Sequence, residues 1–267
     1  MKNPFIELHA EFKNAGAAVV LSSGQACVLF GIAAFSKDGD WIIREEAETC
    51  TAVLAVLARH GAQYRLGVPL HPKWLALGLT SHFEYMTETS FRMRTDFCSR
   101  PPRIADIEHL WQCACQMDGI DVVDVKSLIQ IKQTRRMRDY AVIGALAEVA
   151  GRQAAAADLA LDYLQEYETL SRAVRQWPAK AAASQRAAVR LLVQGGTRAE
   201  VVAALAIEQD KLMQADQRRI ERLESLAGNY VRAFTRLRGV WRATRLPLLE
   251  QHRQLIGLAN EYLGPLP

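Results

Sequence analysis

The sequence predicts an α/β (α+β) core followed by an all-α helical domain. Up to about residue 150, short apolar runs with strand-like patterns alternate with runs of helical period, whereas the remainder has helical period almost throughout. Charge changes at the same place: residues 1–150 contain 16 Lys/Arg and 17 Asp/Glu, and residues 151–267 contain 17 and 12. We therefore predict one domain over residues 1–150 and a basic helical domain over residues 151–267.

Composition excludes several classes of protein. With 50% hydrophobic and 23% charged residues, the 267-residue chain is neither collagen-like nor intrinsically disordered. Charges interrupt every apolar stretch before the roughly 18–20 residues that a membrane span requires, and the N-terminus lacks a signal-peptide core. The five cysteines lack scaffold spacing, which is typical of a reducing compartment. We expect a cytoplasmic protein without membrane contact.

The elements of the core follow from local patterns. Phe5, Leu8 and Phe12 recur at helical spacing, the run at 17–21 is continuously apolar, and residues 91–97 alternate between apolar and polar. Glycine and proline mark most of the ends. In chain order, these patterns predict helices over 4–15, 26–30, 45–60, 106–117 and 126–137, and strands over 17–21, 41–43, 64–68, 81–85, 91–97 and 120–125.

Three helices are expected in the C-terminal domain, over residues 140–177, over residues 179–194, and after a capping box formed by Thr197 and Glu200. The third carries an apolar seam from Ile220 to Trp241. This seam indicates either the core of a helix bundle or a coiled coil that forms a homodimer. Five arginines of the same helix form either a solvated face or a nucleic-acid surface: Arg232, Arg236, Arg238, Arg242 and Arg245.

The segment from Ser22 to Asp40 is the most informative one for function. A small-residue turn follows an apolar strand, and two aspartates, Asp38 and Asp40, introduce the next strand. At positions i and i+2 of an extended segment, both carboxylates project from one face, an arrangement that suits Mg²⁺. Asp96, on the polar face of the 91–97 strand, is the best candidate for a third carboxylate. Asp-Gly-Asp is also a common turn, so a plain loop is the alternative.

These elements, in this order, resemble the nucleotidyltransferase superfamily with the DNA polymerase beta-like core, in particular its AbiEii toxin-like branch. The resemblance covers roughly residues 4–150. It depends on the Leu21–Ala26 strand and turn, on Asp38-Gly39-Asp40, on Asp96, and on the series Lys132, Arg136 and Asp139. It implies a nucleotidyltransferase core with a mixed sheet.

The resemblance also implies roles for individual residues. Asp38, Asp40 and Asp96 would hold two Mg²⁺ or Mn²⁺ ions, and Asp96 would help to deprotonate an acceptor hydroxyl. A nucleoside triphosphate would be the substrate, contacted by four residues: Ser23, Gly24, Lys132 and Arg136. The implied acceptor is RNA, a protein or a small molecule, and a toxin-like protein of this kind would have an antitoxin partner.

Three departures from the family pattern favour a second hypothesis. Ser23 replaces a glycine of the turn, Gly39 replaces an apolar residue between the aspartates, and no arginine precedes Asp38 in the approach 34–38. These departures are typical of a degenerate fold. The alternative function is a non-catalytic nucleotide-binding or regulatory interaction module.

Overall fold

The computed structural model describes residues 3–151 and 157–264. The contacts separate the chain into two compact units, one formed by Met1–Asp124 with Leu223–Pro267 and the other by Val125–Arg222. The helices just before residue 150 pack on those just after it, within the second unit. The predicted division into domains at residue 150 stays a prediction.

The first unit contains a mixed β-sheet. Within the described residues it has seven strands in the order β3-β4-β5-β2-β1-β7-β6. β2 runs parallel to β5, and β1 parallel to β7, while the other neighbours are antiparallel. The bounds are β1 Val19–Ser22, β2 Asp38–Ile43, β3 Gln63–Gly67, β4 Ser81–Met86, β5 Arg92–Cys98, β6 Cys115–Met117 and β7 Ile120–Val122. The mixed α/β core followed by helices, as predicted, is confirmed.

Helices connect and follow the strands of the first unit. In chain order they are α1 Pro4–Asn14, α2 Ser23–Leu29, α3 Ala47–Arg59, α4 Pro72–Leu75 and α5 Ile107–Cys113, followed near the C-terminus by α13 Leu248–Leu263. Proline in the first turn of α1 and the Asn3 cap, which accepts a hydrogen bond from the Phe5 amide, explain where α1 begins. α1 packs against α3 and β1, and α13 packs against α3 and β3.

The second unit is helical. Its elements are α6 Val125–Lys132, α7 Met137–Gly151, α8 Ala157–Tyr163, α9 Tyr167–Gln176, α10 Pro178–Ala183 and α11 Ala187–Val193. The helix α12, Arg198–Thr244, contributes residues to both units. The capping box at its start is confirmed, since Glu200 accepts from the Thr197 amide and hydroxyl at 2.7 and 2.8 Å. No helix among the described residues is long and apolar enough to cross a membrane.

Several predicted elements were wrong in detail. The predicted helix over 140–177 is interrupted between Tyr163 and Tyr167, and its residues 152–156 lie outside the described ones. The helix predicted over 179–194 breaks at Ser184, whose extended backbone ends α10. The one predicted over 106–117 ends at Cys113, because residues 115–117 pair with β7 as a strand. The helices α4 and α13 were missed.

Aromatic side chains fill one face of the sheet. Trp41 of β2 stacks on Phe97 of β5 with ring centroids 5.5 Å apart, and Phe12 of α1 meets both rings edge-on. All three side chains are buried. Such pairs add about 0.5–1.5 kcal/mol each beyond the area that they bury. Because side chains alternate along a strand, the residues between these aromatics project from the opposite face of the sheet.

Candidate functional site

The opposite face of β2 and β5 is polar and carries the three predicted carboxylates. Asp38 and Asp40 lie within β2, and Asp96 lies on β5 with Asp40 as its direct partner across the parallel pair. Side chains opposite one another on neighbouring strands are within interaction range. The sequence predicted a strand over 41–43 only, but β2 begins at Asp38, so both aspartates are strand residues rather than parts of a turn.

Gly39 makes this arrangement compatible with the aromatic core. Its α-carbon faces the buried rings, and a Cβ there would lie 2.5 Å from the Trp41 ring and 2.6 Å from Cδ1 of Phe5. A larger residue at this position would therefore displace α1 or Trp41. Glycine between the two aspartates is thus required by packing, which gives the departure from the family pattern a structural reason.

The small-residue turn lies next to Asp40. Ser22 ends β1 as the partner of Asp40, and Ser23, which begins α2, has a left-handed φ of 54°. Gly24 lies against Ser36, since a Cβ at Gly24 would be 2.3 Å from the Ser36 hydroxyl oxygen. That hydroxyl donates to the backbone carbonyl of Asp38 at 3.0 Å. The structure thus brings the turn with Ser23 and Gly24 beside the first aspartates.

Asp96 is held by two basic side chains that the sequence analysis did not identify. Arg65 Nη2 donates to both carboxylate oxygens of Asp96, at 2.9 and 3.2 Å. His82 Nδ1 lies 2.9 Å from Asp96 Oδ1, and its Nε2 lies 2.7 Å from the Thr80 hydroxyl. Burial raises the pKa of Asp96, but the hydrogen bond and charge of His82, with those of Arg65, outweigh it and leave the pKa below its usual value.

Two further charged strand residues, Glu84 and Arg94, lie on the same face. Glu84 of β4 accepts from Arg238 at 2.9 Å and from Arg242 at 3.2 Å, so two of the five helix arginines bind a carboxylate of the core. Arg94 of β5 has its Nη1 3.9 Å from Asp38 Oδ1. The alternation of polar and apolar residues in the sequence could have placed these residues on the polar faces of their strands. The strand order that brings those faces together could not be predicted from the sequence.

Cys98 lies on the same face as Asp96. The cysteine follows Asp96 by two positions on β5 and is the strand partner of Ile42. Burial, together with the charges of Asp40 and Asp96, raises the pKa of the Cys98 thiol to about 12. The thiol is therefore neutral at physiological pH and adds no charge to this face.

Lys132 and Arg136 belong to the second unit. The prediction that they share one helix face is wrong. α6 ends at Lys132, and Arg136 lies in the turn before α7, where its Nη2 pairs with Asp139 at 2.8 Å. The turn forms because buried Asp139 also accepts from the Thr134 hydroxyl. Lys132 is itself buried. Their predicted contact with phosphate stays a prediction.

Two of the three carboxylates fit the oxygen ligands that a divalent metal prefers. Among the described residues, no group of three or more His, Cys, Asp or Glu side chains could hold a metal ion. Asp38 and Asp40 do fit as a pair. They provide oxygen donors on one face, and within the described part of the chain Asp38 Oδ1 is buried without a hydrogen-bond partner. Asp96 does not fit as it stands, because Arg65 and His82 engage its oxygens.

The sequence matches no known protein family and no curated protein. Two solved structures of proteins from Helicobacter pylori align with this chain. One is a protein described as a candidate nucleotidyltransferase, with 14% identity, a TM-score of 0.41 and coverage of 80% of this chain and 96% of that one. The other is JHP933, with 14% identity, a TM-score of 0.39 and coverage of 85% and 99%. At this level of similarity, the function has to be inferred from the chain's own residues.

Proposed function

We propose that the protein is a metal-dependent nucleotidyltransferase that transfers a nucleoside monophosphate from a nucleoside triphosphate to a hydroxyl acceptor. The observation that supports this proposal is the alignment of Asp40 with Asp96 on neighbouring strands, with Asp38 on the same polar face. Placing three carboxylates on one sheet face costs free energy of desolvation and mutual repulsion, which a bound cation would offset.

The residues of this face would have different roles in such a reaction. Asp38 and Asp40 would hold Mg²⁺ or Mn²⁺, which when bound polarises phosphate oxygens and lowers the pKa of the acceptor hydroxyl. Arg94 places a cation on the same face, with Nη1 3.9 Å from Asp38 Oδ1, and its guanidinium would contact a phosphate oxygen of the bound nucleotide. Ser23 and Gly24 would contact the triphosphate from the adjacent turn.

Asp96 has a different environment from the other two carboxylates. Arg65 and His82 fix its orientation and compensate its charge. For Asp96 to bind a metal, at least one of these contacts has to be given up. We expect the main contribution of Asp96 to the reaction to be the orientation of the groups around the acceptor. Its role as a metal ligand stays a prediction.

Label transfer tests the proposal. Each of the four labelled nucleoside triphosphates is incubated with the full chain and Mg²⁺ or Mn²⁺, with total RNA and cell extract as acceptors. We expect incorporation from at least one nucleotide, and loss of that incorporation in Asp40→Ala. A matched control is Asp210→Ala, which removes an aspartate from an exposed position of α12. Incorporation that is equal in wild type and Asp40→Ala would contradict the proposal.

Finer assignments rest on the family resemblance. RNA as acceptor agrees with the excess of Lys/Arg in residues 151–267. Salt-sensitive binding of RNA by the full chain supports that acceptor, and absence of binding at low salt removes it. A toxin-like role and an antitoxin partner would be tested by growth arrest on expression and its relief by a neighbouring gene product.

The engagement of Asp96 favours a second candidate, a non-catalytic nucleotide-binding or regulatory module. Such a module can tolerate a third carboxylate that is permanently paired with Arg65 and His82. It would bind nucleotide without dependence on Asp38 and Asp40, whereas the enzyme requires both.

A further inference from the structure

An apolar pocket lies beside the polar face, within the first unit. It has a volume of about 230 Å³ and lies between the end of β3, the start of β4 and the C-terminal part of α12. Its lining is mainly aliphatic and aromatic, with these six side chains forming most of the walls: Leu66, Val68, Leu79, Tyr230, Phe234 and Leu263. None of the roles proposed above for the transfer reaction uses this pocket.

The walls of the pocket are fixed. The Tyr230 hydroxyl donates to the Gly67 carbonyl at 2.8 Å, which holds the aromatic wall of α12 against β3. Gly67 has a φ of +90°, and a Cβ there would lie 2.1 Å from the Thr80 carbonyl oxygen. Tyr230, Phe234, Val68 and Leu263 are buried. The pocket is therefore preformed, which favours binding because little ordering is needed.

One end of the pocket is polar and leads to the carboxylate face. Thr80 and His82 both line it, their side chains lie 2.7 Å apart, and His82 reaches Asp96 on its other side at 2.9 Å. A ligand in the pocket would thus have its apolar part between Leu66 and Phe234 and its polar part next to the residues that orient Asp96.

Size and charge limit the ligand. An apolar cavity of about 150 Å³ holds benzene, so about 230 Å³ accommodates a fused bicyclic ring. The rim carries the exposed carboxylate of Glu224, which disfavours phosphates and other anions. The lining offers a nucleobase few hydrogen-bond partners. These features favour a ligand that is uncharged and has an apolar ring with a single polar group.

We propose that this pocket binds the acceptor of the reaction, and that the acceptor, rather than RNA, is an uncharged small molecule with an apolar ring and a hydroxyl that faces Thr80 and His82. This inference rests on the proposed nucleotidyl transfer. The acceptor oxygen forms the new bond to the α-phosphorus, the bond from that phosphorus to the oxygen bridging the α- and β-phosphates breaks, pyrophosphate leaves, and the hydroxyl proton passes to solvent.

Binding of 2-naphthol to the full chain, measured by calorimetry, tests the pocket without requiring activity. Ala227→Phe fills the pocket from α12, and Val231→Trp does so from a more exposed position that tolerates a large side chain. Ala243→Phe, at an exposed position of the same helix, is the matched control. We expect saturable binding in wild type and control, weakened about tenfold or more in the two filled variants.

Two outcomes would overturn the inference. One is absence of saturable naphthol binding in wild type, or equal binding in filled and control variants. The other is loss of affinity for the Mg²⁺-bound nucleoside triphosphate in Ala227→Phe, which would assign the pocket to the nucleobase. Failure of the nucleotidyl transfer itself is distinguishable, since it would abolish labelling of every acceptor while leaving naphthol binding and its dependence on Ala227 unchanged.

Discussion

Substitution of Gly39 by alanine tests how the two faces of β2 depend on one another. The added Cβ would lie 2.5–2.6 Å from Trp41 and Phe5, two buried rings that cannot move without displacing Phe12 and Phe97. Overpacking of a filled core costs about 1–3 kcal/mol, and two rigid rings place this case near the upper value.

The net effect is smaller because alanine also restricts the unfolded chain. That gain is about 0.5–1 kcal/mol, which leaves a destabilisation of about 2 kcal/mol. At about 2–4 °C for each kcal/mol in a protein of this size, the midpoint of thermal unfolding should fall by about 4–8 °C. The assay is thermal unfolding followed by circular dichroism.

Gly228→Ala is the matched control for this prediction. Gly228 lies inside α12, and no described atom outside its own helix backbone lies within 4 Å of a Cβ placed there. Alanine should stabilise that helix by about 0.5–1 kcal/mol and raise the midpoint. A midpoint for Gly39→Ala that is unchanged, or raised as in Gly228→Ala, would refute the close packing of Gly39 against Trp41 and Phe5.

Three further perturbations test other parts of the structure. Arg65→Met should destabilise the protein by about 1–3 kcal/mol at pH 7 and raise the pKa of Asp96. The stability that a lowered carboxyl pKa contributes is lost as the pH falls through that pKa. Below about pH 4, the midpoint of unfolding should therefore vary less with pH in the variant than in wild type. Gln251→Leu should cost about 1–3 kcal/mol for each lost partner in chemical denaturation, since this fully buried amide accepts from the Tyr64 amide and donates to a backbone carbonyl. Thr197→Ala should cost about 0.5–2 kcal/mol by loss of the capping box, with wild-type stability in the variant as the contradicting result.

Local patterns in the sequence were sufficient for much of the core. The alternation over 91–97 placed Asp96 on the polar side of a strand, and the i, i+2 spacing placed Asp38 and Asp40 on one face. The start of β2 was misjudged because Asp-Gly-Asp is also typical of turns. Its strand conformation depends on Gly39 lying against aromatic rings from α1, a contact that no local pattern encodes.

The site could be predicted only in part, because it depends on which distant segments pair with one another in the sheet. Arg65 and His82 meet Asp96 only because β3, β4 and β5 are consecutive in the sheet, and strand order is not readable from residue periods. The break after Tyr163 was missed because neither glycine nor proline marks it. The helix α13, in contrast, had a usable signal that was overlooked, namely Leu248, Leu255, Ala259 and Leu263 at helical spacing after a proline.

Binding of Mn²⁺ together with a nucleoside triphosphate, followed by electron paramagnetic resonance, tests whether Asp38 and Asp40 form a metal site on the polar sheet face. We predict that wild type and Asp118→Asn bind the metal–nucleotide complex with equal affinity, and that Asp38→Asn and Asp40→Asn lose most of that affinity. Equal binding by all four proteins would contradict the presence of this site and favour the non-catalytic module.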